Sequence, residues 1–214
     1  MNCTNLIASS IQATTKQVIL VQSNVVHDAN ATIIVCEKNL NGWQQKFPTI
    51  PSVVGLNGIA QPNMKKEGDQ MTPSGIFFLG EAFSYLPHIE SIIPQFKMDY
   101  RYISDTKDID GKYFDKFIDD PSNNAYNSWI VGSTNAKSYE EMRKNTQYEF
   151  GIVINYNMNP VVKGKGSAIF MHIWKGPRVA THGCVALDKT NLIKILAWLD
   201  KTKQPQILII PPKL

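Results

Sequence analysis

Helical periodicity is nearly absent from this sequence, and that most constrains its fold. Only 189–200 carries a helical stripe: Leu192, Ile195, Leu196 and Leu199 fall at i, i+3, i+4 and i+7, behind Asp188 as a candidate N-cap. Elsewhere the apolar residues come in short runs rich in Val and Ile, which suit a pleated, half-buried surface. Runs 17–21 and 32–37 flank the polar, Asn-bearing segment 23–30, the pattern of a hairpin. Segment 42–47 predicts a third strand, stopped by Pro48 and Pro51, and 75–79, 148–156, 167–173 and 206–210 add further strands. Segment 55–75 holds four glycines, two prolines and little period, and reads as a long, functional loop. Ser138-Tyr-Glu-Glu141 reads as a capping box and predicts a short helix over 139–146. Residues 84–136 show no sustained period. Many strands, few helices and no regular βα alternation predict a β-rich α+β domain.

With 43% apolar and 19% charged residues, the 214-residue chain is excluded from the disordered class and can hold a core without staples. No linker divides it, so the expected organisation is an N-terminal extension, 1–16, and one domain, 17–214. The net charge is +4, but the longest basic run is Lys65-Lys66, followed directly by Glu67 and Asp69. Without a basic stripe no nucleic-acid partner is expected. No apolar run approaches the roughly 18 residues of a membrane span. No apolar h-region precedes Lys16, the first basic residue, so no secretory signal is read here. A monomer without cofactor is expected. Three cysteines leave at least one thiol unpaired. Cys36, inside Thr-Ile-Ile-Val-Cys, reads as a core residue, and Cys3 lies near the chain end.

Cys184 stands apart. It closes Thr181-His182-Gly183-Cys184, twelve residues after His172, which ends an apolar strand. A strand-loop-strand return can set 172 beside 184. An imidazole there would supply a base and a stabilising cation for a thiolate attacking a carbonyl, making Cys184 the fastest of the three cysteines to alkylate. Gly183 would let backbone N–H groups face a tetrahedral oxyanion. Two other readings stay open: a small core cysteine, or a zinc site from His172, His182 and Cys184, which lacks an obvious fourth ligand. His27 and His88 read as surface residues, and Trp198 as packing.

Thr181-His-Gly-Cys-Val, with the upstream Ile-Phe-Met-His172, resembles the active-site motif of YkuD-type L,D-transpeptidases. Glu67-Gly-Asp69 followed by Thr72-Pro-Ser-Gly75-Ile-Phe is similar to that family's "GD…TPxGxF" segment. Gly55-Leu-Asn-Gly58, Asp119-Asp-Pro, Tyr126-Asn127 and Gly164-Lys-Gly-Ser-Ala-Ile-Phe170 follow the same pattern in order. The resemblance implies a YkuD-like β-sandwich with short flanking helices. It implies an enzyme that acts on peptidoglycan stem peptides in the periplasm or cell envelope. There Cys184 would attack the carbonyl of the third residue of a tetrapeptide, release D-Ala, and pass the acyl group from a thioester to an amine, giving a 3→3 cross-link. Water as acceptor would make it an L,D-carboxypeptidase or endopeptidase, and a non-catalytic wall-binding module is the remaining alternative. Carried over by position, His172 is the general base, the Ile173 carbonyl orients it, His182 is auxiliary, and Gly183 with Cys184 lines the oxyanion hole. Thr181, Ser167, Trp174, Arg178, Asp120, Tyr126 and Asn127 would contact substrate, the carboxylates of Asp119 and Asp120 facing the amine of a diamino acid. No metal is implied. The sequence departs at Ala186, where the family carries Arg or Asn, which leaves Arg178 or Lys175 to meet a substrate carboxylate.

Overall fold

In a computed structural model of the protein, the described residues are 11–213 together with Cys3 and Ile7. Of the expected extension 1–16, residues 1, 2, 4–6 and 8–10 lie outside them. The chain runs β1 (Gln17–Gln22), β2 (Asn30–Asn39), β3 (Gly42–Gln45), β4 (Ile50–Val53), β5 (Gly75–Ser84) and β6 (Tyr100–Tyr102). It continues through β7 (Asp115–Ile118), β8 (Trp129–Val131), β9 (Tyr139–Glu141), β10 (Phe150–Ile154), β11 (Phe170–Ile173) and β12 (Val185–Leu187). Helix α1 (Lys189–Trp198) and β13 (Gln206–Ile210) complete it.

The main sheet has the order β1-β13-β5-β10-β11-β12-β4-β2-β3, with β6 on β5, and β1 also pairs with β2. That last pairing closes eight strands into a ring. The β-rich expectation holds. In place of two stacked sheets with flanking helices, a sheet closes on itself, and the described residues contain one α-helix. Closure leaves fewer bare edges than a sandwich does. Alternation along each strand then gives the ring an inside and an outside. Ile19 and Val21 of β1, Ile33 and Val35 of β2, Ile152 and Ile154 of β10 and Met171 of β11 share one core with Leu192, Ile195, Leu196 and Leu199 of α1 and its exit. As expected, Asp188 caps α1, its carboxylate accepting from Asn191 N at 3.0 Å.

The outward residues of β1 and β2, Val18, Leu20, Ile34 and Cys36, form a separate patch with Cys3 and Ile7. Cys3 and Cys36 are disulfide-bonded. This corrects the reading of Cys36 as a plain core residue and of Cys3 as a loose end.

The second outer surface positions the site. A small sheet, β8-β7-β9, packs against the main sheet through Phe83, Phe117, Trp129, Tyr148 and Phe170, with ring centroids 5.1–6.5 Å apart, mostly edge to face. Cys184 belongs to this second core. The helix predicted over 139–146 is absent: 139–141 is β9, paired with Ile118, Phe117 and Lys116 of β7. Backbone pairing on the open side of β7 outweighs the local capping preference of Ser138, since long-range partners override weak propensities. The cap that does form is Asn145, which accepts from Gln147 N at the short 3-10 turn Thr146–Glu149.

Candidate active site

Strands β11 and β12 run parallel, with His172 opposite Ala186 and Met171 opposite Val185. Alternation therefore puts Phe170, His172, Cys184 and Ala186 on one face, toward the small sheet. His172 and Cys184 are each 7% exposed and line one cleft of about 500 Å3. Nδ1 of His172 lies 2.8 Å from the carbonyl oxygen of Ile173. A carbonyl only accepts, so Nδ1 carries the proton and Nε2 keeps its lone pair. The edge of the Tyr148 ring, 5.2 Å away and nearly perpendicular, braces the imidazole.

The sulfur rests between two backbone groups. Sγ donates to the Ala168 carbonyl and accepts from Phe170 N, both at 3.3 Å. Burial pushes the thiol up to about 12, only partly opposed by the Phe170 amide. Burial also drives the imidazole down to about 4. At neutral pH the pair is thus thiol plus neutral imidazole, not the thiolate–imidazolium pair expected from residue types.

Thr181 and Thr72 hold the backbone of Cys184 itself. Thr181 Oγ1 donates to the Cys184 carbonyl at 2.7 Å, and Thr72 Oγ1 donates to the same oxygen at 3.2 Å. Thr72 Oγ1 in turn accepts from Gly55 N. Gly183 sits at φ +143°, and a Cβ there would lie 3.1 Å from the Met71 carbonyl, so the turn requires glycine. Gly183 N donates to Thr181 Oγ1 at 3.1 Å. That amide is engaged inside the turn.

The family profile for the YkuD L,D-transpeptidase catalytic domain matches residues 25–209. The chain belongs to this family. Among solved structures, the K307A mutant of the helical cell shape determining protein Pgp2 from Campylobacter jejuni is similar at 18% identity and TM-score 0.50. The match covers 95% of this chain and 50% of that one. The unmutated Pgp2 structure matches at 18% identity and TM-score 0.46, over 93% and 49%. The chain spans about half the length of these structures, and the likeness concerns the fold alone. No curated protein sequence matches the chain significantly.

In this YkuD domain Ser167, Trp174, Thr181, His182 and Gly183 line the cleft with His172 and Cys184. Lys175 does too, whereas Arg178, Asp120, Tyr126 and Asn127 do not. Asp120 is buried and accepts from Ser122 N, Ser122 Oγ and Lys137 N, so it folds its own loop. Tyr126 donates to the Glu67 carboxylate, which also accepts from Ser167 Oγ, and Asn127 is wholly internal. In this structure the polar atoms of all three are engaged within the protein. Glu140, Gln147 and Tyr148 are lining residues the sequence missed; Glu140 fell within the misread helix, and Gln147 and Tyr148 just beyond it. Burial raises the Glu140 carboxyl, and Asp119 raises it further; Asp119 is itself raised by burial and by Glu67. Lys65, 6% exposed, spends its ammonium on Asp69 at 2.6 Å. Among the described residues no group of His, Cys, Asp or Glu is disposed to hold a metal ion, which tells against the zinc reading. No helix among them is long and apolar enough to cross a membrane.

Proposed function

We propose that this protein is an L,D-transpeptidase acting on peptidoglycan stem peptides through a Cys184 thioester. The observation that carries the reading is the shared face of β11 and β12. It sets a thiol and an imidazole with a free Nε2 at the floor of one cleft. Sγ attacks the carbonyl carbon of the third stem residue as His172 Nε2 takes its proton. Because the resting imidazole is a weak base, proton transfer accompanies attack rather than preceding it. The carbonyl electrons move to oxygen, and the Cys184 amide, at the turn fixed by Thr181 and Thr72, is the nearest candidate donor to that oxyanion. Collapse breaks the C–N bond, the imidazolium returns the proton to the leaving nitrogen, and D-Ala departs. An amine of a second stem then attacks the thioester, its proton passes to His172, and the thiol is regenerated with a 3→3 cross-link.

The site of action in this proposal is the periplasm or cell envelope. The Cys3–Cys36 disulfide fits an oxidising compartment of that kind. The test is incubation with a disaccharide tetrapeptide, followed by mass analysis of protein and products. The expected result is an acyl adduct on Cys184, free D-Ala and a cross-linked dimer, all abolished in Cys184→Ala. Tripeptide without dimer would replace the amine by water as acceptor. No adduct and no product would refute the enzymatic reading.

A further inference from the structure

The cradle that holds the sulfur is itself held in an unusual backbone shape. Ala168, whose carbonyl accepts from Sγ, has φ +52°, in the left-handed region that an L-residue with a Cβ avoids. Two residues on, Phe170 N donates to the same sulfur. The orientation of segment 168–170 thus fixes where the thiol lies. Ala168 N donates to Oδ1 of Asn127 at 3.1 Å. Asn127 is 2% exposed and comes from the turn between β7 and β8, far away in sequence. Its Nδ2 donates to the carbonyls of Tyr156 and Asn157, at 3.0 and 2.8 Å. Two carbonyls on one side and one amide N–H on the other permit a single orientation of the carboxamide. Asn127 is itself left-handed, at φ +59°, a conformation asparagine tolerates. Its neighbour Tyr126 accepts from Gly166 N at 3.1 Å, so one turn pins both 166 and 168.

We propose that Asn127 is a positioning residue for the Cys184 nucleophile, acting through the left-handed backbone of Ala168. It touches neither substrate nor sulfur. It selects the backbone conformation that aims the Ala168 carbonyl and the Phe170 N–H at Sγ, and so sets the thiol's resting geometry. The inference rests on the reading of Cys184 as nucleophile.

The test measures alkylation of Cys184 by iodoacetamide against pH in the folded, unreduced protein, with melting temperature recorded beside it. Asn127→Gly removes the carboxamide and leaves φ at 127 free. It is expected to alkylate about tenfold faster and to titrate nearer an ordinary thiol, because the loosened cradle admits water to the sulfur and relieves its burial by more than the lost Phe170 N–H opposes. Adding Ala168→Gly makes the left-handed shape cost-free and is expected to reverse most of that change. Because glycine at φ +52° also relieves backbone strain, the reversal is read in the pH profile and compared with the melting temperature of each variant. Asn127→Ser is too short to reach Ala168 N and is expected to follow Asn127→Gly. It decides the matter if Asn127→Gly does not fold. An unchanged profile in Asn127→Gly or in Asn127→Ser, or no reversal by Ala168→Gly, overturns the proposal. Alkylation reads the thiol and not its substrate. Failure of the unaltered protein to form an acyl-enzyme would therefore count against the function and leave this test in force.

Discussion

The ionisation of Cys184 yields the sharpest prediction. The thiol is pushed from about 9 to about 12 by burial, and His172 is too weak a base to take its proton at rest. Three units correspond to about 4 kcal/mol against the thiolate, or about a thousandfold less of it at any pH below both values. Cys3 and Cys36 are joined, so Cys184 is the free thiol and one mass adduct reports it. The perturbation is unfolding in urea without reductant, and the assay is the iodoacetamide rate from pH 6 to 10.5. The native rate should lie about a thousandfold below the denatured rate at pH 8 and keep climbing tenfold per pH unit past pH 9, where the denatured rate levels off. Poor access alone would lower the native curve without moving its plateau. A native plateau near pH 9 or lower, or a native rate matching the denatured one, would refute the reasoning and restore the preformed ion pair.

His172 gives a stability prediction of definite sign. Its folded value, about 4, lies below the ordinary 6.5, so the unfolded chain binds the proton first as pH falls. Stability should be unaffected above pH 6.5 and decline by about 3 kcal/mol between 6.5 and 4, measured by urea melts. His172→Gln should flatten that window, and an equal decline in the variant would exclude His172 as its source. Gly183→Ala forces a Cβ to within 3.1 Å of the Met71 carbonyl at φ +143° and should cost about 1–3 kcal/mol, with loss of acyl-enzyme formation; native-like melting and activity would contradict the turn geometry. Cys3→Ser opens the tether across 33 residues and should cost about 3–4 kcal/mol by chain entropy, read as a lower melting temperature; no shift would mean that the extension adds nothing to the domain.

Much of this domain is legible because its strands are continuous in sequence and the elements of its candidate site are local. Runs 17–21, 32–37 and 206–210 became β1, β2 and β13, and the stripe from Leu192 to Leu199 became α1 with its cap. Thr181 to Cys184 was readable as a turn because glycine and a capping hydroxyl sit side by side. What escaped depends on partners distant in sequence. Strand β9 exists because β7 offers it an edge, and nothing in Ser138-Tyr-Glu-Glu141 announces that edge. The carboxamide of Asn127 was visible as a polar group in a polar loop, but its three partners lie at 156, 157 and 168. The protonation state of Cys184 was misjudged for a related reason. Residue types show an imidazole nearby, whereas the ionisation is governed by desolvation beneath the small sheet.

The closure of the ring also orders events in time. Strand β13 lies between β1 and β5, pairing Val18 with Gln206 on one side and Phe78 with the same residue on the other. Until those last residues are made, both neighbours carry open edges, and the barrel has a slot where its final stave belongs. The domain cannot close until β13 has been made, and the pairing that seals it joins its first strand to its last, the kind of contact that forms slowly. Until β13 arrives, the open edges of β1 and β5 are exposed to edge-to-edge aggregation.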